Sequence, residues 1–177
     1  VVPEAAESWT VSPDGRIYTF TLRPDIPWVK HALEEETVQV KDEDGVPLYV
    51  TAHDFEFAYK RLCDPNVELE GFVVRPENIQ GCQKLLEYED PENIPSQMLE
   101  GIGVKAVSDT ELIITLEEPS GLFLTKTSSP YTSALPRWAI EKYGEAWTNP
   151  GLMPTNGPFV IDLWELGEEV RLIRNRL

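Results

Sequence analysis

The sequence predicts an α+β fold, an antiparallel or mixed sheet built of hairpins with short helices interleaved between them. Three observations carry that expectation. Several segments alternate apolar and polar residues with period two, the mark of half-buried strands. Between them stand short apolar stripes at helical spacing. The 15 Pro and 11 Gly among 177 residues supply turns at a density that argues against a long-helix bundle.

Residues 16–22 alternate, with Tyr18, Phe20 and Leu22 on one face. They follow a Pro13-Asp14-Gly15 turn, and Trp9-Thr10-Val11 reads as the partner strand. Residues 37–41 and 47–50 read as a second hairpin around Asp44-Gly45. Thr51-Ala52-His53-Asp54 then opens a helix, with Thr51 at the N-cap and Asp54 completing a capping-box pattern. Phe55, Tyr59 and Leu62 share its apolar face, and Asp64-Pro65 ends it. A second helix is expected over residues 76–88, with Ile79, Cys82, Leu85 and Leu86 as its buried stripe. Residues 103–107 and 111–116 form a further hairpin across Ser108-Asp109. A short helix follows over 136–143, with Pro136 at N1 and Gly144 past its end. Residues 158–164 and 168–174 close the chain as a last hairpin around 165–167. No internal repeat and no low-complexity linker divides these elements.

Composition bounds the function. Hydrophobic residues make up 41% of the chain and aromatics 10%, enough for a real core. The formal net charge is −16, and residues 1–100 hold 21 acids against 8 bases. Such a surface repels phosphate backbones and anionic lipid heads, which excludes nucleic acid and membrane-surface binding as leading readings. The acid runs Glu34-Glu35-Glu36, Asp42-Glu43-Asp44 and 87–92 read as solvated faces. No run approaches the roughly 20 apolar residues of a membrane span, so direct membrane insertion by this segment is not expected. The start has neither a basic nor an apolar leader region, so the signal of an exported parent is expected upstream. Val170, Leu172 and Ile173 promise a strand that needs neighbours, and the chain is expected to be cut from a larger protein.

Nothing in the sequence points to catalysis. Only His31 and His53 could serve a nucleophile–histidine device, one in a charged loop and one in a helix first turn. There is no G-x-S-x-G, H-E-x-x-H or P-loop. Asp42-Glu43-Asp44-Gly45 has its glycine too early for a calcium loop and suits a turn. Chance pairs among 31 acids single out no glycosidase-like couple. Cys63 and Cys82 lack histidines at zinc-ligand spacing, which leaves inert thiols or a disulfide. No catalytic residue, metal or cofactor is expected.

The specific signal is a set of ordered blocks. Pro3-Glu4-Ala5-Ala6-Glu7-Ser8-Trp9 and the stretch from Pro13-Asp14-Gly15 to Arg23 come first. Val50-Thr51-Ala52-His53-Asp54-Phe55, Lys60-Arg61-Leu62-Cys63-Asp64-Pro65 and Gly103-Val104-Lys105-Ala106-Val107 follow, then residues 112–119. Glu141-Lys142-Tyr143-Gly144, Trp147-Thr148-Asn149-Pro150 and Asn156-Gly157-Pro158-Phe159 complete the series. Together they closely resemble the bacterial family 5 solute-binding proteins, the oligopeptide- and dipeptide-binding components of ABC importers. The resemblance covers nearly the whole chain. Two departures stand out: an inserted acidic hairpin at 29–49, and a shortened stretch at 67–75 where relatives often carry an aromatic near the ligand.

The resemblance implies a periplasmic-binding-protein-like type II fold, of which residues 1–177 are a fragment of the first lobe. The accessory subdomain would span about 9–150, and strands at 157–174 would belong to the main lobe sheet. It implies an extracytoplasmic protein, periplasmic or a cell-surface lipoprotein, that binds a peptide or other small solute and meets ABC permease subunits. Nickel chelates and oligosaccharides are rival cargoes, and a free-standing acidic interaction module is a rival of another class. Residues expected to edge the ligand cleft are Phe72, Ser129, Tyr131, Asn156 and Gly157. An oxidising compartment, which the resemblance also implies, favours a Cys63–Cys82 disulfide.

Overall fold

The computed structural model describes residues 4–32, 37–67, 76 and 78–177. Among them, the strands are β1 (Ala6–Val11), β2 (Ile17–Leu22), β3 (Val29–Lys30), β4 (Val38–Gln39), β5 (Val104–Ser108), β6 (Glu111–Thr115), β7 (Phe159–Glu165) and β8 (Glu169–Arg174). The α-helices are α1 (Ala52–Leu62), α2 (Cys82–Leu86), α3 (Ser96–Glu100), α4 (Phe123–Lys126) and α5 (Arg137–Tyr143). The α+β class read from the sequence holds. The chain divides into two compact units, one of Val1–Arg23 with Thr51–Leu135 and one of Pro24–Val50 with Pro136–Leu177.

The first unit is a four-stranded antiparallel sheet, ordered β1-β2-β6-β5. The alternation in β2 puts Tyr18, Phe20 and Leu22 on its buried face, beside Leu112 and Ile114 of β6 and Val104 of β5. Tyr18 carries a hydroxyl into this core and satisfies it by donating to the Ser120 carbonyl at 3.1 Å. Its ring lies 4.7 Å from that of Phe123 on α4. Helix α1 packs against β5 and β6 with Ala52, Ala58, Tyr59 and Leu62 buried. Its first turn is closed as the capping pattern predicts: the Thr51 N–H donates to Asp54 Oδ2 at 2.8 Å. Ala52 N–H donates to the Asp109 carbonyl at 2.7 Å, which fixes the helix start to the β5–β6 turn.

The helix expected over 76–88 is confined to Cys82–Leu86. The cause is local. Gly81 adopts φ +76°, a left-handed conformation that breaks the helical path. Upstream, the backbone is claimed by strand-like pairing, with an Ile79–Leu116 bridge and Gln80 N–H donating to the Thr115 carbonyl at 2.9 Å. Ile79, Cys82 and Leu85 are nonetheless buried, so the apolar stripe survives the loss of regular helix.

In the second unit, the segment expected to pair 37–41 with 47–50 is woven from three arms. Val38–Gln39 pairs with Val29–Lys30, and Lys41 bridges Pro47. Val40 N–H donates to the Trp28 carbonyl at 2.8 Å, and Trp28 N–H to the Leu48 carbonyl at 3.0 Å. The turn itself is as read: Asp42 Oδ1 accepts from the N–H groups of Asp44 and Val46, and Gly45 takes φ +83°. The acidic tip is exposed, but the base is core, with Trp28 only 2% exposed and Val29, Val40 and Val50 buried. Glu34-Glu35-Glu36 lies outside the described residues. Val29 and Thr155 exchange two backbone hydrogen bonds of 2.8 Å, tying this segment to the approach to β7. The last hairpin pairs β7 with β8 around Gly167 at φ +79°.

Candidate functional site

Five residues were expected near a ligand. Phe72 lies outside the described residues. The others fall on two turns, one in each unit. Ser129 and Tyr131 frame a single 3₁₀ turn, Pro130–Thr132, in the first unit. The Thr132 hydroxyl donates back to the Ser129 carbonyl at 2.8 Å and lies 3.0 Å from the Thr127 carbonyl. Beneath the turn is Tyr59 of α1, whose phenol burial pushes well above its ordinary pKa while a hydrogen bond with Thr132 pulls the other way. The turn is therefore held from below, and Tyr131 stands out from it at 46% exposure.

Asn156 and Gly157 serve a different turn. Gly157 N–H donates to Thr155 Oγ1 at 3.1 Å, and its carbonyl accepts from Asn175 Nδ2 at 3.0 Å. Asn175 N–H also donates to the Pro158 carbonyl at 2.9 Å. These bonds commit the backbone there to joining the two ends of the β7–β8 hairpin.

Sequence reasoning missed a chain of polar contacts in the second unit. His31 Nε2 lies 3.1 Å from Asp162 Oδ1, and Arg171 Nε donates to the other oxygen of the same carboxylate. Asp162 sits in the bulge of β7, between Ile161 and Leu163, and Leu163 is paired with Arg171. The Asp162 hydrogen bond holds the Arg171 guanidinium still more firmly protonated. A pocket of about 360 Å³ opens beside it, lined by Lys30, His31, Pro150, Gly151, Leu152 and Asp162 among others. A regular hairpin register would set Asp162 on the face opposite Arg171, and the bulge brings the two together. The His31 contact could not be found from sequence, because no sequence period links residues so far apart.

In the first unit Glu56 is the comparable group. It accepts from Lys60 Nζ at 2.6 Å and from the Ala106 N–H of edge strand β5 at 2.9 Å. Burial alone would raise its carboxyl, but these two donors outweigh it and hold the pKa below the usual range. Cys63 and Cys82 form a disulfide with Cα atoms 5.1 Å apart. Among the described residues no group of three or more His, Cys, Asp or Glu is placed to hold a metal ion, and no helix is long and apolar enough to cross a membrane.

The family model for bacterial extracellular solute-binding proteins, family 5 Middle, matches residues 1–176. The periplasmic oligopeptide-binding protein OppA of Escherichia coli K12 is 35% identical over 174 residues, covering 98% of this chain and 28% of that protein. The probable deoxycholate-binding periplasmic protein YgiS of the same strain is 29% identical over 177 residues, covering 99% of this chain and 29% of that protein. Among solved structures, the substrate-binding domain of an oligopeptide ABC transporter from Bacillus anthracis str. Ames has a TM-score of 0.75 at 30% identity, covering 99% of this chain and 29% of the other. The chain thus spans less than a third of the length of these relatives.

Proposed function

Because this chain belongs to the family 5 bacterial extracellular solute-binding proteins, we propose that the protein carrying it is the substrate-binding component of an ABC importer. It captures peptides outside the cytoplasmic membrane, in the periplasm or as a cell-surface lipoprotein, and delivers them to a permease. It is a binding protein and not an enzyme. One observation carries the reading: similarity to an oligopeptide-binding protein runs over 98% of the chain. The disulfide supports the extracytoplasmic placement.

In this reading two lobes close on the ligand by hinge motion, and peptide is held chiefly through its main chain, which tolerates many side chains. Within the chain, the half-exposed Tyr131 is the strongest candidate for a cleft contact, with Ser129 on the same turn and Phe72 a further candidate. The bonds around Asn156-Gly157 favour a structural part for that turn. The accessory subdomain, within about 9–150, takes its core from the first unit, and strands 157–174 belong to the main lobe sheet. Support for the latter comes from β7–β8. One face of the hairpin leaves Phe159, Trp164, Val170 and Leu172 about half exposed, a patch suited to cover by further elements of the parent.

A second cargo class has a specific observation behind it, the likeness to a probable deoxycholate-binding protein. Mass spectrometry of ligands retained by the full-length protein, purified without unfolding, separates the two. A ladder of short peptides is the expected result. A homogeneous steroid, sugar or metal chelate in their place would overturn the peptide assignment.

A further inference from the structure

The Cys63–Cys82 bond joins the end of α1 to the first residue of α2 and lies entirely inside the first unit. Both cysteines are 0% exposed, and both belong to the same core cluster as Leu22, Tyr59, Ile79 and Leu85. The segment that carries Cys82 is packed backbone against backbone. A Cβ on Gly81 would come within 2.8 Å of the Gly101 carbonyl oxygen, and one on Gly103 within 2.6 Å of the Thr115 carbonyl oxygen. Gly81 N–H donates to Glu117 Oε1 at 2.9 Å, and Gly103 N–H to the Gln80 carbonyl at 2.8 Å. With both cysteines fully buried beside this packing, access to the sulfurs calls for local opening of the first unit.

Thiol–disulfide exchange needs a thiolate and an open line of approach. In the folded first unit the second condition fails, because the site is closed. In the unfolded chain both are met. We propose that Cys63–Cys82 is made before the core of the first unit closes and is sealed afterwards, so that it is a folding-stage modification and not a redox switch. The step that supplies it is dithiol oxidation by a disulfide-bearing oxidant. One cysteine thiolate attacks the oxidant's disulfide, forming a mixed disulfide and releasing one oxidant thiol. The other cysteine then attacks the mixed disulfide and expels the second oxidant thiol. The oxidant gains two electrons, and the two protons from Cys63 and Cys82 end on its thiols. The source of oxidant rests on the extracytoplasmic reading above; the order of events does not depend on the cargo.

The test uses the full-length protein, with differential alkylation and peptide mapping to read Cys63 and Cys82 individually. Oxidised protein is exposed to dithiothreitol across a urea series. Reduction in native buffer is expected to be slower than in denaturing urea by at least about 100-fold, and to rise in step with unfolding of the first unit. In the reverse arm, reduced protein meets oxidised glutathione either before or after transfer from urea to buffer, and only the first order gives rapid closure. If the reduced protein does not fold, the native reduction arm decides alone. A smaller ratio there, or two free thiols in protein isolated from its own compartment, overturns the proposal. Loss of peptide binding has no bearing on either arm, so a wrong cargo and a wrong order of oxidation are told apart.

Discussion

Asp54 does two jobs with one carboxylate. It accepts the Thr51 N–H at 2.8 Å and the Thr51 hydroxyl at 3.2 Å, and it places an acid at the positive end of α1. Asp54→Ala is expected to lower stability by about 1–2 kcal/mol in urea unfolding, and an unchanged midpoint would contradict this reading of the cap. Glu56 gives a pH signature. Its folded pKa is depressed, so its contribution is present above the unfolded value of about 4.3 and is lost as pH falls through the folded one. Glu56→Gln should therefore flatten the acid limb of the stability–pH profile, while an unaltered limb would show that the Lys60 and Ala106 contacts do not matter. Gly103 is a steric case. Gly103→Ala must push a methyl against the Thr115 carbonyl at 2.6 Å, and should cost roughly 1–3 kcal/mol in the same assay.

The elements show where local pattern was enough and where it was not. β2 and β6 were legible because one side of each faces a core and the other does not, so Tyr18, Phe20, Leu112 and Ile114 alternate cleanly. The start of α1 was legible because capping chemistry is local. α2 was overextended because the stripe Ile79, Cys82, Leu85 fits a helix, while the pairing of 79–80 with 115–116 depends on a partner far along the chain. The 29–49 insert departs from a simple hairpin for the same reason. Its acidic tip is local, but the burial of Trp28, Val29 and Val40 comes from non-local pairing. The candidate site residues divide likewise: Ser129 and Tyr131 were named through the family resemblance, whereas the His31–Asp162 contact left no trace in spacing. A graded deletion tests the insert. Replacing 42–46 with a tight turn in the full-length protein should leave ligand affinity within a few-fold, since only the exposed tip is lost. Trp28→Ala should instead cost about 3–5 kcal/mol of stability. Equal damage from both changes would mean that the tip is not a passive solvated turn.

At the scale of the whole molecule, the chain holds a complete sheet-and-helix core in its first unit and a hairpin with an uncovered apolar face in its second. It matches under a third of its relatives' length. A peptide pocket normally surrounds most of its ligand, and a single wall would leave the peptide's ordering largely uncompensated. On the reading proposed above, peptide capture would belong to the full-length protein, with this chain supplying part of one wall. The most direct measurement is paired calorimetry of the full-length protein and of this 177-residue chain against the same pool of tri- to pentapeptides. Binding is expected at about micromolar dissociation constants or tighter for the full-length protein, and at about millimolar or weaker for the chain alone. No heat from the full-length protein, or micromolar binding by the chain alone, would contradict that expectation.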